Sequence, residues 1–140
     1  MVFVAWAETA KNPWFQIPQE AAIRRLGAPP PTDPQAPGPF AFADAGRVVD
    51  LLRAAGLGQV RAETLDTVLT PPGDVSAAAR VASRVGPAAR IMTAMSASEE
   101  DAKAIEAQIA EGFRSYERDG SVRVPAVVHL FSAAQSEVAD

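Results

Sequence analysis

The chain has no cysteine, a single histidine at His129, and 13 basic residues against 17 acidic ones in 140, a formal charge of -4. Disulfides, thiolate zinc sites and cysteine nucleophiles are excluded by the first absence. A histidine-rich metal site is excluded by the second, and no metal is expected. No basic block is present, so the electrostatic footprint of a nucleic-acid binder is missing. No uninterrupted apolar run approaches the roughly 18 residues of a membrane helix. A basic segment ahead of the short apolar N-terminus is also lacking, which makes it a poor signal peptide. These observations lead to the expectation of a cytoplasmic protein with neither nucleic acid nor membrane as partner.

What is present is an ordinary globular composition, 48% hydrophobic and 21% charged. The length fits one domain, and residues 1–140 are read as one. Val2-Phe3-Val4-Ala5-Trp6 is a continuous apolar run that suits a strand buried on both faces. Pro18 fits the first position of a helix running past Ala22, Ile23 and Leu26 to Gly27. Six of the 12 prolines fall between Pro29 and Pro39, and such a stretch reads as an extended surface loop. Asp44 is a plausible N-cap for a helix with Val48, Leu51, Leu52 and Ala55 on one face, ended by Gly56. A strand over residues 59–69 follows.

Pro71-Pro72-Gly73 breaks the chain, and Asp74 caps a helix with Val75, Ala78, Ala82 and Val85 on one stripe. Gly86-Pro87 separates it from a short helix containing Ile91, Met92 and Met95. Ser96 with Glu99 stands at capping-box spacing before a long helix, and Ser98 with Asp101 nearly does. Ala102, Ile105, Ile109, Phe113 and Tyr116 make that helix the most regular pattern in the sequence. Asp119-Gly120 is a turn, and residues 122–131 form the last strand. Pro125 in that strand is tolerable only near its start or at a bulge.

The phrases VFVAW, NPW, PGPFAFADAGRVVDLLRAAGLGQVRAE and VRVPAVVHLFSA, in this order, resemble the C-terminal half of a class I S-adenosylmethionine-dependent methyltransferase. The likeness is to the small-molecule enzymes of the ubiquinone/menaquinone-biosynthesis type, and it spans essentially the whole chain. The resemblance implies an α/β fold with a partial Rossmann-like sheet. Its three strands would correspond to the family's fifth, seventh and sixth in spatial order, the last in sequence lying antiparallel between the others, with about five helices. It implies a small-molecule methyl acceptor and S-adenosylmethionine as cofactor.

The family's cofactor is held by strands one to four and a glycine-rich turn from strand to helix, where glycine permits close backbone approach. Here Gly56-Leu57-Gly58 lies at a helix end before a strand, the reverse order. The chain alone is therefore not expected to bind the cofactor or transfer a methyl group, and no residue is assigned as catalytic. Met1 falling where strand five should start suggests a truncated gene, a late start codon or a split protein. The expected partner is the missing N-terminal half, or a second copy joined through the first strand. In the second case the chain is a homodimeric binding or scaffold protein and not an enzyme.

The resemblance also places candidates at the acceptor side. Asn12, Trp14 and Phe15 either line an acceptor pocket or anchor their loop. Trp6 stands at a strand's C-terminal end, where ligands gather in open α/β sheets, or packs under the loop. Phe40 and Phe42 are a lid over the acceptor or a hydrophobic staple before the Asp44 helix. His129 is the one candidate imidazole base, set against ordinary packing in a strand.

Overall fold

A computed structural model of the chain describes residues 1–135. Their backbone contacts divide them into two compact units. The first comprises Met1–Lys11, Asp33–Thr67 and the chain from Val127 on, and the second Asn12–Thr32 and Val68–Ala126.

The first unit is built on β1 (Val2–Trp6), β2 (Leu57–Leu69) and the body of β5 (Val124–Gln135). These make a three-stranded antiparallel sheet in the order β1-β5-β2. The last strand therefore lies between the first two, which is the expected order. Val2 stands opposite Ser132, Phe3 opposite Phe131, Ala5 opposite His129 and Trp6 opposite Val128. Cross-strand partners share a face, so Phe3, Ala5, His129 and Phe131 look the same way. That side holds the core: the fully buried Phe131 stacks on Phe3 at 4.9 Å between ring centres, and Phe42 tilts against Phe3 at 6.0 Å.

The other side corrects the expectation of a strand buried on both faces. Val2 and Val4 are 70% and 58% exposed. Val2 and Val4 point to the side of the sheet opposite Phe3 and Phe131, and that side is left uncovered; β1 is in addition an edge strand with β5 on one flank only. β2 forms the opposite edge and is exposed along most of its length.

α2 (Ala45–Ala54) completes this unit. Asp44 is its N-cap, and the carboxylate accepts the Arg47 N–H at 3.1 Å, which satisfies one donor that the helix leaves open. The expected apolar face is only partly used, with Val48 buried and Leu51 49% exposed. Gly56, at φ 84°, reverses the chain into β2.

The second unit is helical, with α1 (Pro13–Leu26), α3 (Val75–Ser83), α4 (Gly86–Ala94) and α5 (Glu99–Phe113). α1 packs against α4 and α5, and α3 packs against α5. α1 starts five residues earlier than the Pro18 signal suggests. Pro13 takes the first-turn position instead, leaving Pro18 inside the helix, where it forfeits a backbone bond. Burial of Trp14, Phe15, Pro18, Ala21 and Ala22 on one face offsets that loss. Trp14 stacks on Phe113 with ring centres 5.4 Å apart. A side chain at Gly86, whose φ is 65°, would put its Cβ 2.8 Å from Phe15 Cδ1, so glycine is needed there for two reasons.

Of the two possible capping boxes, Ser98 with Asp101 is the one formed: Asp101 N–H donates to Ser98 Oγ and Ser98 N–H to Asp101 Oδ2, each at 3.1 Å. Ile105, Ile109 and Phe113 of α5 are fully buried. After a 3-10 turn, β3 (Glu117–Arg118) and β4 (Ser121–Val122) pair antiparallel. Asp119 and Gly120 both have positive φ between them, the backbone of a tight hairpin. The sequence reading has this turn but not its two short strands. Val122 belongs to β4, so the last long strand runs from Val124 and not from Val122. Pro125 is the second residue of β5 and exposed, ahead of the stretch that pairs with β1. The described residues are thus α/β, with five α-helices, a three-stranded sheet and a two-stranded one.

Candidate functional site

The segment before α2 is shaped by its own backbone. The Ala41 N–H donates to Gly38 O at 3.2 Å and the Ala43 N–H to Phe40 O at 3.1 Å, so the chain turns twice over Gly38–Ala43. Two side chains then pin these turns. Arg47 Nη2 donates to Ala41 O at 2.5 Å, and the ring of His129 contacts Ala43 O through Nε2 at 2.9 Å. A carbonyl oxygen only accepts, so Nε2 carries the proton. In the neutral ring Nδ1 is then an acceptor, and the Thr64 hydroxyl, 3.0 Å away, donates to it. Both nitrogens of His129 are engaged, and the ring ties β5, β2 and the loop together.

Beside this loop is a cleft of about 420 Å³, lined among others by Glu8, Gln35, Phe40, Ala43, Asp44 and Arg47. Its volume lies within the range of small-molecule sites. Glu8 is ion-paired with Lys11 at 3.0 Å, with both side chains more than half exposed. Arg47 is half-buried, and among the described residues no carboxylate stands within salt-bridge distance of its guanidinium. The cleft therefore presents a guanidinium, two carboxylates, an amide and an aromatic ring. It can hold a small polar molecule with a flat apolar part.

The proposed site residues distribute as follows. Phe40 lines the cleft, and His129 supports it through Ala43. Phe42 lies against Phe3 and is 43% exposed. Trp6 is half-buried at the end of β1. Asn12, Trp14 and Phe15 belong to the second unit. There Asn12 is fully buried and its C=O accepts the N–H groups of Phe15 and Gln16 at 2.9 and 3.0 Å, while the two aromatic rings pack among the helices. Arg47, Asp44, Gln35 and Glu8 were not among the candidates for the site. The only sequence signal for them is an arginine three residues after a helix cap, which ordinarily reads as a solvated face.

Smaller clefts are found in the second unit as well. One, of about 300 Å³, lies between α1 and α5 with Glu20, Arg24 and Gln108 on its walls. Another, of about 210 Å³, lies between Pro29–Pro31 and Ile91. Neither combines a half-buried charge with an aromatic wall. Among the described residues no group of acidic and histidine side chains is placed to hold a metal ion, and no helix is long and apolar enough to cross a membrane. Compared with known proteins, the chain matches no family model and no curated sequence.

Proposed function

We propose that this chain is the acceptor-side half of a class I S-adenosylmethionine-dependent methyltransferase acting on a small molecule in the cytoplasm, completed by a cofactor-binding half that these 140 residues do not contain. The observation that carries the reading is the position of β5, central and antiparallel between β1 and β2. That is the arrangement the sequence resemblance assigns to the family's strands five, seven and six.

The residues present do not fit the cofactor. Among the described residues the one strand-to-helix turn with a glycine, after β2, contains Gly73 alone, and a Cβ there would meet Ala77 Cβ at 2.7 Å. That glycine serves packing against α3 and not backbone approach to a nucleotide. The test is calorimetric titration of S-adenosylmethionine into the chain alone, and into the chain joined to the half encoded in the adjoining DNA. The reading expects binding only in the second case. Tight binding by the chain alone would sink it, and so would adjoining DNA without a glycine-rich strand-to-helix turn.

A second reading has its own observation. The run VFVAW carries no charge, proline or bulge, the usual protections of an edge strand. Antiparallel pairing of two β1 strands about a two-fold axis would set Val4 against Val4 and give a homodimeric binding or scaffold protein. Light scattering on the purified chain separates the two: a stable dimer supports this reading, and a monomer rejects it.

A further inference from the structure

We propose that the cleft before α2 binds a small organic carboxylate with a flat apolar body, the anionic end held by Arg47 and the body lying against Phe40. The inference names an acceptor class for the site and in that sense rests on the methyltransferase reading, although its test does not involve the cofactor.

Arg47 supplies the attraction. A guanidinium carries five N–H donors in a planar fork that matches a carboxylate. One of them is taken by Ala41 O. No carboxylate of the described residues is in ion-pair reach of this half-buried guanidinium, so a bound anion that contacts it directly gains from both charge and hydrogen bonds. The fork is also fixed in advance. Arg47 is held at the third position of α2 by the Asp44 cap through its N–H, and at its far end by Ala41 O. Less ordering entropy is then lost on binding.

The remaining lining narrows the class. Glu8 is drawn to Lys11 at 3.0 Å, an exposed pair that offsets part of its charge. Asp44 leaves a negative charge beside the guanidinium, which disfavours a phosphate dianion over a singly charged carboxylate. Phe40, Pro34, Ala41 and Ala43 give the apolar wall. A ring with one carboxylate suits both the polar end and this wall.

The full chain is titrated with benzoate, acetate, inorganic phosphate, benzamide and benzylamine, following backbone amide resonances by NMR. Benzoate is expected to shift residues 40–47 saturably, with a Kd on the order of millimolar. Acetate lacks the ring, phosphate lacks the ring and carries more charge, and benzamide lacks the charge; each should bind at least about ten-fold more weakly, a difference of about 1.4 kcal/mol. Benzylamine should not bind in this cleft. Arg47→Gln should weaken benzoate binding about ten-fold or more, while Arg53→Gln, on the same helix, should leave it unchanged. Equal binding of benzamide or benzylamine overturns the proposal, as does equal binding of acetate or phosphate, or benzoate shifts confined to other residues. Unchanged benzoate affinity in a folded Arg47→Gln chain does the same. If Arg47→Gln does not fold, the ligand series on the natural chain decides alone.

Discussion

Gly112 is the next-to-last residue of α5, and a Cβ built on it would stand 2.6 Å from Ile17 Cγ2 of α1. Gly112→Ala is therefore pulled two ways. Alanine is the better helix former by about 0.8–1.0 kcal/mol in a helix interior, and somewhat less in a last turn. Against this, non-bonded carbons prefer about 3.5–4.0 Å, so something must move by about 1 Å. Cγ2 is attached directly to the branched Cβ of Ile17. It cannot swing away without leaving the one χ1 rotamer that helices favour for isoleucine. Overpacking of this kind costs about 1–3 kcal/mol. The substitution should thus destabilise by about 1 kcal/mol net. Ile17→Ala removes the obstructing methyl. In that background Gly112→Ala should instead stabilise by about 0.5 kcal/mol, because only the helix preference remains. Urea denaturation of the four chains, followed by far-UV circular dichroism, gives the midpoints and slopes. A stabilising Gly112→Ala in the natural background, or strictly additive effects in the double mutant, would refute the close approach of α1 to α5.

Three other expectations follow from single side chains. A hydrogen bond from Arg25, with two more from Ser98, holds the Asp101 carboxyl below the usual aspartate range. The stability this confers is present above the unfolded value of about 3.9 and is lost as pH falls through the lower folded value. The gap in urea midpoint between the natural chain and Asp101→Asn should hold at neutral pH and close in acid; a gap that widens in acid would contradict the sign. His129→Phe keeps a buried ring but strips Ala43 O of its donor and the Thr64 hydroxyl of its acceptor, so it should destabilise by about 1–3 kcal/mol in the same assay. Val4→Lys, on the exposed face of β1, should change stability by no more than about 0.5 kcal/mol yet abolish any dimer seen by light scattering. A dimer that survives is not joined through this edge.

The parts of the fold that were legible from sequence are those decided locally. α5 could be read because Ile105, Ile109 and Phe113 repeat on the helical period and the Ser98–Asp101 box sits within one turn. The Asp44 and Asp74 caps are local in the same way, and both carboxylates accept the expected N–H. The start of α1 was not legible: Pro18 carries a first-turn signal, and nothing local shows that Pro13 holds that position instead. What decides between them is burial of Trp14 against Phe113, a contact from the far end of α5. The β3–β4 hairpin has two residues per strand, too few to show a period. The exposure of Val2 and Val4 was misjudged because an apolar run states what would gain from burial, not whether a neighbour is there. The cleft depends on Arg47 reaching back to Ala41 and on Ala43 meeting His129 across 86 positions of sequence, and no spacing rule reports such contacts.

The two edges of the sheet are not equivalent. β2 carries Arg61, Glu63 and Asp66, charges that a docking strand would have to desolvate. β1 carries none. Its pattern toward β5 is fixed at both ends, with the Ala133 N–H donating to Met1 O and the Ala7 N–H to Val127 O, each at 3.0 Å. In an antiparallel pair hydrogen-bonded and non-hydrogen-bonded residues alternate, so Met1, Phe3, Ala5 and Ala7 face β5. The peptide groups of Val2 and Val4 then face outward, beside their own exposed side chains. A second β1 strand would satisfy those peptide groups. Five residues at about 3.3 Å each give an edge only about 16 Å long. With a sheet layer about 10 Å thick, such pairing covers on the order of 150–200 Å² per chain, far below the roughly 800 Å² of a stable interface. It would also leave the outward faces of Val2 and Val4 in water. A partner that brings a strand to the edge and a helix over that face meets both needs, so the geometry of β1 favours completion by another half over self-association.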